Sequence, residues 1–492
     1  MFRPEIILGP PGTGKTTSLL KIVEETLEKG ILPERIGYVA FTKKAATEAI
    51  ERAETQFGFK EKQLPYFRTL HSLAFRMLGM KRDRVLGKRD IKEFGEILGL
   101  RLTGFISATE GAAFGTTRGD RAMFMSGLAR LRGITFKQQW TETPADLEWF
   151  EAERVHRGLQ EFKESRGLKD FTDMLENFVG QCDVPELDLL VVDEAQDLSA
   201  LQWRMVVKMA TNAKRVIVAG DDDQAIFQWA GADVTYFVKM AGNVTVLDHS
   251  YRTPAAVQDV AQSIIDRVGI RRSKTWTPRE GEGKVMYHTT PEAVDMDEGS
   301  WLVLARNGYL LDGVEQSCRR MGHIYERNKE RSVKEADLAG IKTWERLREG
   351  GVATAQELGR VFKWLRRTKK EIPKTGSYNM KSMKNHWGVT TDAIWHDAFD
   401  RMPLAERSYM LAALRKGEKL LKTPRIQLST IHSAKGGEAD NVVLFSDMAR
   451  RTFNGMQLFP DNERRVFYVG ATRTRNNLNI IVPRTKFSFS EI

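Results

Sequence analysis

The chain has 492 residues, with 76 Lys and Arg against 65 Asp and Glu and a formal net charge of +11. That length exceeds one ordinary hydrophobic core, so two or more domains are expected, and the positive balance favours a polyanionic partner. Its two cysteines, Cys182 and Cys318, lie far apart and argue against a disulfide framework or a clustered zinc site, and no apolar run approaches the ~20 residues of a membrane-spanning helix.

The first predicted element is a buried strand within Met1 to Leu8. It runs into Gly9-Pro10-Pro11-Gly12-Thr13-Gly14-Lys15-Thr16, which fits GxxxxGK[ST], and Thr17 leads into an apolar helical stretch from Ser18 to Leu27. Strand, glycine-rich loop and helix in this order form a phosphate cradle. The glycines let backbone NH groups curl around phosphates, and the helix N-terminus adds its positive end. Lys15 would reach the outer phosphates and Thr16 would hold magnesium. Gly9 to Thr17 are therefore the expected nucleotide-binding residues.

A second apolar run, Leu187 to Val192, ends in Asp193-Glu194-Ala195-Gln196-Asp197. Two adjacent carboxylates at the C-terminal edge of a buried strand sit where phosphates bind in such sheets. Asp193 is expected to bind magnesium and Glu194 to accept a proton from the attacking water. A third strand, Arg215 to Ala219, ends in Gly220-Asp221-Asp222-Asp223-Gln224 and continues to Phe227 and Trp229. If that segment stays extended, both rings point the same way and bases can stack on them; ordinary core packing is the alternative. The basic runs Lys81 to Arg84, Arg271 to Lys274 and Arg366 to Lys370 read as solvated faces, with contact to a nucleic-acid backbone as the alternative. Trp344, Trp364, Trp387 and Trp395 read as anchors of a small helical core.

With these motifs in this order, the chain closely resembles superfamily 1 helicases of the UvrD/Rep/PcrA type. Ala40-Phe-Thr-Lys-Lys-Ala-Ala46 is similar to motif Ia, Thr69-Leu-His-Ser72 to motif Ib, and Asp170-Phe-Thr-Asp-Met-Leu175 to the segment before motif II. Leu247-Asp-His-Ser-Tyr-Arg252 is similar to motif IV, Ser429 to Glu438 to motif V, and Glu463 to Arg473 to motif VI. The resemblance implies that Gln224 senses the γ-phosphate and that Arg252 and Arg473 arrive from a second core domain as cationic fingers. It implies adenine stacking on Tyr251 and a ribose hydroxyl donating to Glu438. It also implies DNA contacts through Phe41, Thr42, Lys43, His71, Phe227, Trp229, Thr430 and His432.

The implied fold class is α/β, with two RecA-like P-loop domains built on parallel sheets, each interrupted by a mainly helical insertion. The first core domain is expected from residues 1–84 and 168–245, with its insertion at 85–167. The second is expected from 246–329 and 419–492, with its insertion at 330–418. The implied function is an ATP- and Mg2+-dependent DNA helicase that moves on single-stranded DNA, 3′ to 5′, toward single-strand/double-strand junctions. A translocase that displaces bound proteins without unwinding, and a non-catalytic nucleotide-binding DNA scaffold, stay open as alternatives. A cytoplasmic site of action, on the nucleoid or on viral or plasmid DNA, and no membrane partner are expected. Three departures from the family pattern stand out: no glutamine among the eight residues before Gly9, Ala230 where relatives carry arginine, and Gly437 where they carry leucine. The first puts ATP selectivity over other nucleoside triphosphates in doubt.

Overall fold

In the computed structural model, six short strands form one parallel sheet in the order Phe67–Thr69, Ile36–Ala40, Leu187–Asp193, Ala213–Gly220, Glu5–Leu8, Asn243–Val246. The structure describes residues 3–41, 43–104, 106–107, 114–115, 117–143, 147–368, 371–420 and 422–492. The central strands are nearly continuous in apolar residues because helices cover both faces, as parallel sheets require. Ile7, Leu189, Val191, Ile217 and Ala219 face helices Lys15–Glu28 and Lys43–Phe57. Their neighbours Ile6, Leu8, Leu190, Val192, Val216 and Val218 face helices Leu70–Met77, Phe171–Gln181 and Ala200–Ala210. The register pairs Leu8 with Gly220 and Ala40 with Asp193. Parallel strands in this register release the phosphate loop, the acidic pair and the Asp221–Gln224 segment at one edge, where such sheets bind ligands.

A second sheet has the order Glu330–Arg331, Tyr325–Arg327, Ile426–Thr430, Trp301–Ala305, Ala439–Phe445, Thr474–Ile481, Lys284–His288. It is parallel except for the edge hairpin, which runs to Arg331. Residue 330 was the expected start of the second insertion, so the sheet edge overlaps it. The fold is thus α/β with two RecA-like domains, one on each sheet.

The two helical segments attach differently. Helices Lys88–Leu98, Arg118–Arg132, Phe136–Glu142 and Trp149–Arg166 close around their own core of Phe94, Met125, Val155, Leu159 and Phe162. The chain enters and leaves this segment through a bridge between Val85 and Lys169. Its buried Lys163 donates to Asp170 at 2.6 Å and to Asp173 at 2.7 Å, and Arg130 reaches the same two carboxylates. Asp170 also caps the Phe171–Gln181 helix by accepting from the Asp173 NH at 2.7 Å. One pair of aspartates therefore starts a core helix and anchors the insertion.

The other segment shares its core with the second sheet. Trp344, Trp387 and Trp395 are buried in one cluster with Val303, Ile426, Leu428 and Phe445 of the strands, and Trp364 packs against it. The Trp344 indole donates to the Ala393 carbonyl at 2.9 Å and Trp387 to that of Glu371 at 2.9 Å. These tryptophans are packing anchors. Replacing Trp344, fully buried, with alanine leaves a cavity costing about 3–5 kcal/mol. Because the core is continuous, Trp344→Ala is expected to lower the urea midpoint of the second lobe as one transition. A separate early transition for the helical segment alone would contradict that continuity.

Candidate nucleotide site at the seam of two sheets

The phosphate loop is tied to its sheet by the Gly9 NH, which donates to the Gly220 carbonyl at 3.0 Å. Thr13 closes a turn on the Pro10 carbonyl through its NH at 3.2 Å and its hydroxyl at 2.9 Å. Gly12 and Gly14 adopt φ of 74° and 75°, the left-handed region in which glycine is unstrained. The helix Lys15–Glu28 that follows has no side-chain cap and no acidic residue in its first turn. Its leading NH groups, those of Lys15, Thr16 and Thr17, thus form an anion-binding end. The Thr17 hydroxyl is exposed and accepts from Arg52 at 3.1 Å.

Opposite the loop, Lys15 donates to Glu194 and lies 3.4 Å from Asp193. Burial opposes the lysine charge, but these carboxylates outweigh it and raise its pKa above the usual range. Asp193 is buried; its Oδ2 accepts from the Tyr38 hydroxyl at 2.9 Å and its Oδ1 from the Glu194 NH at 2.8 Å. Burial pushes the Asp193 carboxyl up against the pull of Lys15. Burial also works against the Glu194 charge, yet Lys15 and Lys435 hold that carboxyl down at about 2. Glu194 stands at φ 53°, a left-handed conformation unusual for a side-chain-bearing residue and costing about 1–3 kcal/mol. Gln196 steadies it, donating to Glu194 Oε2 at 2.6 Å and accepting from the Asp221 NH at 3.0 Å. Gly220 permits this approach, since a Cβ there would fall 2.5 Å from Gln196 Oε1.

The second sheet closes the site. Ser250 donates to the Pro11 carbonyl at 2.7 Å, and the Tyr251 NH donates to that of Gly12 at 2.8 Å. Arg252 Nε donates to Glu438 at 2.5 Å, and Arg475 pairs with the same carboxylate. Arg473 is buried at the end of helix Pro460–Ala471, where its Nε donates to the Val469 carbonyl at 3.0 Å. Burial, with Arg252 nearby, lowers its pKa to about 9, so it keeps its charge at neutral pH. Its Nη2 donates to Gln224 Oε1 at 2.7 Å, while Gln224 Nε2 donates to Asp221 at 2.8 Å. Lys435 donates to the Gln224 carbonyl at 2.8 Å and to Asp197 at 2.5 Å. Burial raises the Asp197 carboxyl to about 6 in spite of that partner. Lys15, Glu194, Gln224, Arg252 and Arg473 thus meet at one seam. The Tyr251 ring is largely exposed beside it, edge-on to His249 at 4.9 Å.

A line of rings runs from this seam. Phe41 and Phe227 lie 5.5 Å apart, Phe227 and Trp229 6.2 Å, and Trp229 and His432 6.5 Å. The Phe227–Trp229 segment is not extended as supposed: Gln228–Ala230 turns as a 3-10 helix, and the two rings stand at 61° instead of side by side. Trp229 Nε1 and His432 Nδ1 are buried without a hydrogen-bond partner among the described residues. Burial first, then Arg306 and Lys435, lowers the His432 pKa well below the usual range, so its ring is neutral. Thr430 is buried, its hydroxyl donating to Ser433 at 3.0 Å. His71 is half-buried and edge-on to the exposed Phe171 at 5.9 Å. Thr42 and the Lys43 side chain lie outside the described residues.

A family model described as the UvrD/REP helicase N-terminal domain matches residues 2–245, and the UvrD-like helicase C-terminal domain matches residues 354–485. The chain belongs to the UvrD/Rep helicase family. It is 25% identical over 349 residues to the ATP-dependent DNA helicase PcrA of Staphylococcus epidermidis, covering 68% of this chain and 47% of that protein. Against PcrA of Staphylococcus aureus it is 24% identical over 323 residues, covering 61% and 43%. It spans about half the length of the curated relatives it matches. A solved Arterivirus nonstructural protein 10 (helicase) aligns at 13% identity and TM-score 0.36, over 98% of this chain and 61% of that one.

Within this UvrD/Rep chain several site residues escaped the reading of the sequence. Tyr38, the one polar side chain in a buried Ile-Gly-Tyr-Val-Ala strand, carried a signal; Gln196 did not. Arg306 ends a buried strand and pairs with Glu463 at 2.5 Å, a contact invisible without the fold. The basic run Arg271 to Lys274 is neither a solvated face nor a nucleic-acid contact, for it is ion-paired with Asp221 to Asp223. Lys81 to Arg84 are exposed, as is Arg366. Gly12 offers the sharpest test of the seam. A Cβ there would meet Arg252 Cβ at 2.4 Å. Gly12→Ala is expected to lengthen the distance between spin labels on the two lobes and to weaken nucleotide-analogue binding roughly tenfold or more. An unchanged distance would show that the lobes do not close on this loop.

Proposed function

We propose that this chain is a DNA-stimulated ATPase that walks on single-stranded DNA and separates strands at single-strand/double-strand junctions, acting in the cytoplasm. The carrying observation is the Gln224 amide, which is held by Asp221 of the first lobe and Arg473 of the second beside Lys15 and Glu194. Substrate ATP would lie with its phosphates on the Gly9–Thr17 loop, its base against Tyr251 and its ribose toward Glu438. Thr16 and Asp193 supply hard oxygen donors of the kind magnesium takes, and the bound ion would neutralise phosphate charge. Glu194, ionised and fixed by Lys15 and Gln196, would receive the proton of the attacking water. Arg252 and Arg473 would stabilise charge on the transferring phosphoryl group only while the lobes are together. Turnover would then be tied to closure. Repeated closing and opening would move the lobes along a strand when each grips it differently in the two states.

The strand would run over Phe41, Phe227, Trp229 and His432, with Thr42, Lys43, His71 and Thr430 toward its backbone. The unpartnered Trp229 and His432 nitrogens favour a polar ligand there over simple packing. Movement from 3′ to 5′ follows the family resemblance. The domains we propose are 1–84 with 168–245, and 246–331 with 419–492, with insertions 85–167 and 332–418, the edge hairpin to Arg331 moving the second boundary from the expected 330. Among the described residues no helix is long and apolar enough to cross a membrane.

ATP turnover with and without single-stranded DNA tests the reading directly. Strong stimulation is expected; absent turnover would leave the scaffold alternative, and turnover independent of DNA would mark a different ATPase. Glu194→Gln should cut turnover roughly 10²-fold or more while DNA binding persists. Trp229→Ala should weaken binding of single-stranded DNA by about 1–3 kcal/mol. A forked substrate separates the helicase from a translocase, which would hydrolyse ATP on it without releasing a strand.

A further inference from the structure

The Arg271 to Lys274 segment leaves the second lobe between helix Ala255–Ile265 and strand Lys284–His288 and crosses to the first lobe. There it meets Asp221, Asp222 and Asp223, all buried at the end of strand Ala213–Gly220. Lys274 has a fully buried side chain whose ammonium lies 2.6 Å from Asp222, 3.0 Å from Asp223 and 3.2 Å from Asp221. Arg271 holds both oxygens of Asp223, at 2.9 and 2.7 Å, and the Arg272 NH donates to Asp222 at 2.8 Å. Arg465, on helix Pro460–Ala471, ties the two segments together through the carbonyls of Asp222 and Ile270. One oxygen from each of the three carboxylates lies within 4.8 Å of the others, close enough for a metal ion, but the lysine ammonium takes that position.

Three adjacent buried carboxylates cannot all stay ionised without a cation among them. Asp221 matters most, because its other oxygen accepts from Gln224 Nε2. An ionised Asp221 fixes which way the Gln224 amide points: NH2 toward Asp221, oxygen toward Arg473. Were Asp221 protonated, the amide could turn over and set its NH2 against the Arg473 guanidinium, donor against donor. We infer that Lys274 is a positioning residue for the ATPase, delivered by the second lobe to keep Asp221 an acceptor and so to orient Gln224 for the terminal phosphate. The inference rests on the motor reading above. It makes the sensing amide competent only while the strap from the opposite lobe is docked.

The test uses the full chain, with single-stranded DNA and ATP. Lys274→Met is expected to lower kcat about tenfold or more, with KM for ATP and DNA affinity within about twofold. Its kcat should also rise with pH across a range where the wild type is flat, as Asp221 regains its charge. The groups facing the triplet are Lys274, Arg271 and Arg272 from the strap, Arg465, Tyr468 and Arg473 from the helix side, Lys15 from the phosphate loop, and Gln224. Among these, only the carboxylates deprived of Lys274 would give that alkaline-ward rise. Asp221→Asn, isosteric, should itself lower kcat, and Lys274→Met should add no more than about twofold on that background. Should Lys274→Met fail to fold, Asp221→Asn decides: wild-type kcat in that variant overturns the inference. A folded Lys274→Met with unchanged kcat and a flat pH profile overturns it too, as does a loss confined to melting temperature. Those results in an active wild type would leave the motor reading standing, whereas a wild type with no DNA-stimulated turnover would sink both.

Discussion

A glutamine amide has one accepting end and one donating end, and in this chain the two ends of Gln224 are engaged by different lobes. The first lobe supplies an acceptor and the second a guanidinium, so the amide is fully satisfied only when both are present. Everything else at the seam is arranged around that condition. Lys435 fixes the Gln224 backbone, Ser250 and the Tyr251 NH fix the phosphate loop, and Gly12 leaves room for Arg252. In a site built this way the hydrogen bonding of one side chain is complete only when both lobes are in place.

The charges at the seam are tolerable because they come in pairs. Lys15 lies on Glu194 and Asp193, Lys435 on Asp197, Lys274 on the aspartate triplet, and Arg306 on Glu463. A buried pair of this kind adds little net stability, yet losing one partner is expensive because the other charge is stranded. That asymmetry makes the network a poor glue and a good gauge. Two of these cations, Lys435 and Lys274, belong to the second lobe and their carboxylates to the first. Separating the lobes therefore exposes both to water, a cost moderated by solvation, whereas misregistering them while closed strands charge in a dry interior.

What could be read from the residues alone was whatever is local. The phosphate loop, the carboxylates closing a buried strand, and the Asp221–Gln224 turn each announce their chemistry within a dozen residues, since strand, loop and helix must follow in order. The α/β class and the division into two core domains came from the family resemblance that these motifs carry, not from strand periodicity. Gln196 and Arg306 were hidden because their roles are created by pairings between distant segments, and Tyr38, though marked as a polar residue in an apolar strand, meets its partner only through the register that sets Ala40 beside Asp193. The run Arg271 to Lys274 misled for a physical reason: charge runs are usually solvated, and only the three aspartates 50 residues earlier make this one an exception. Phe227 and Trp229 misled because side-chain alternation assumes extended backbone, and Gly231 at φ 96° lets the segment turn back on itself.

The insertions suggest how such a seam keeps its meaning. The second shares a dry core with its sheet, so its tryptophans and the strands move as one body. The first has a separate core and is joined to its lobe by a strand bridge, by Lys163 and Arg130 on Asp170 and Asp173, and by Leu131 packed against the first lobe's core. Apolar burial is non-directional, and a continuous core resists bending in every direction. Paired ions at a bridge, by contrast, fix a direction and yield when their geometry changes. The second lobe's insertion and sheet therefore form one body, while Arg473 and Lys274 are presented from the opposite face of that sheet, where helices Ala255–Ile265 and Pro460–Ala471 share a separate core.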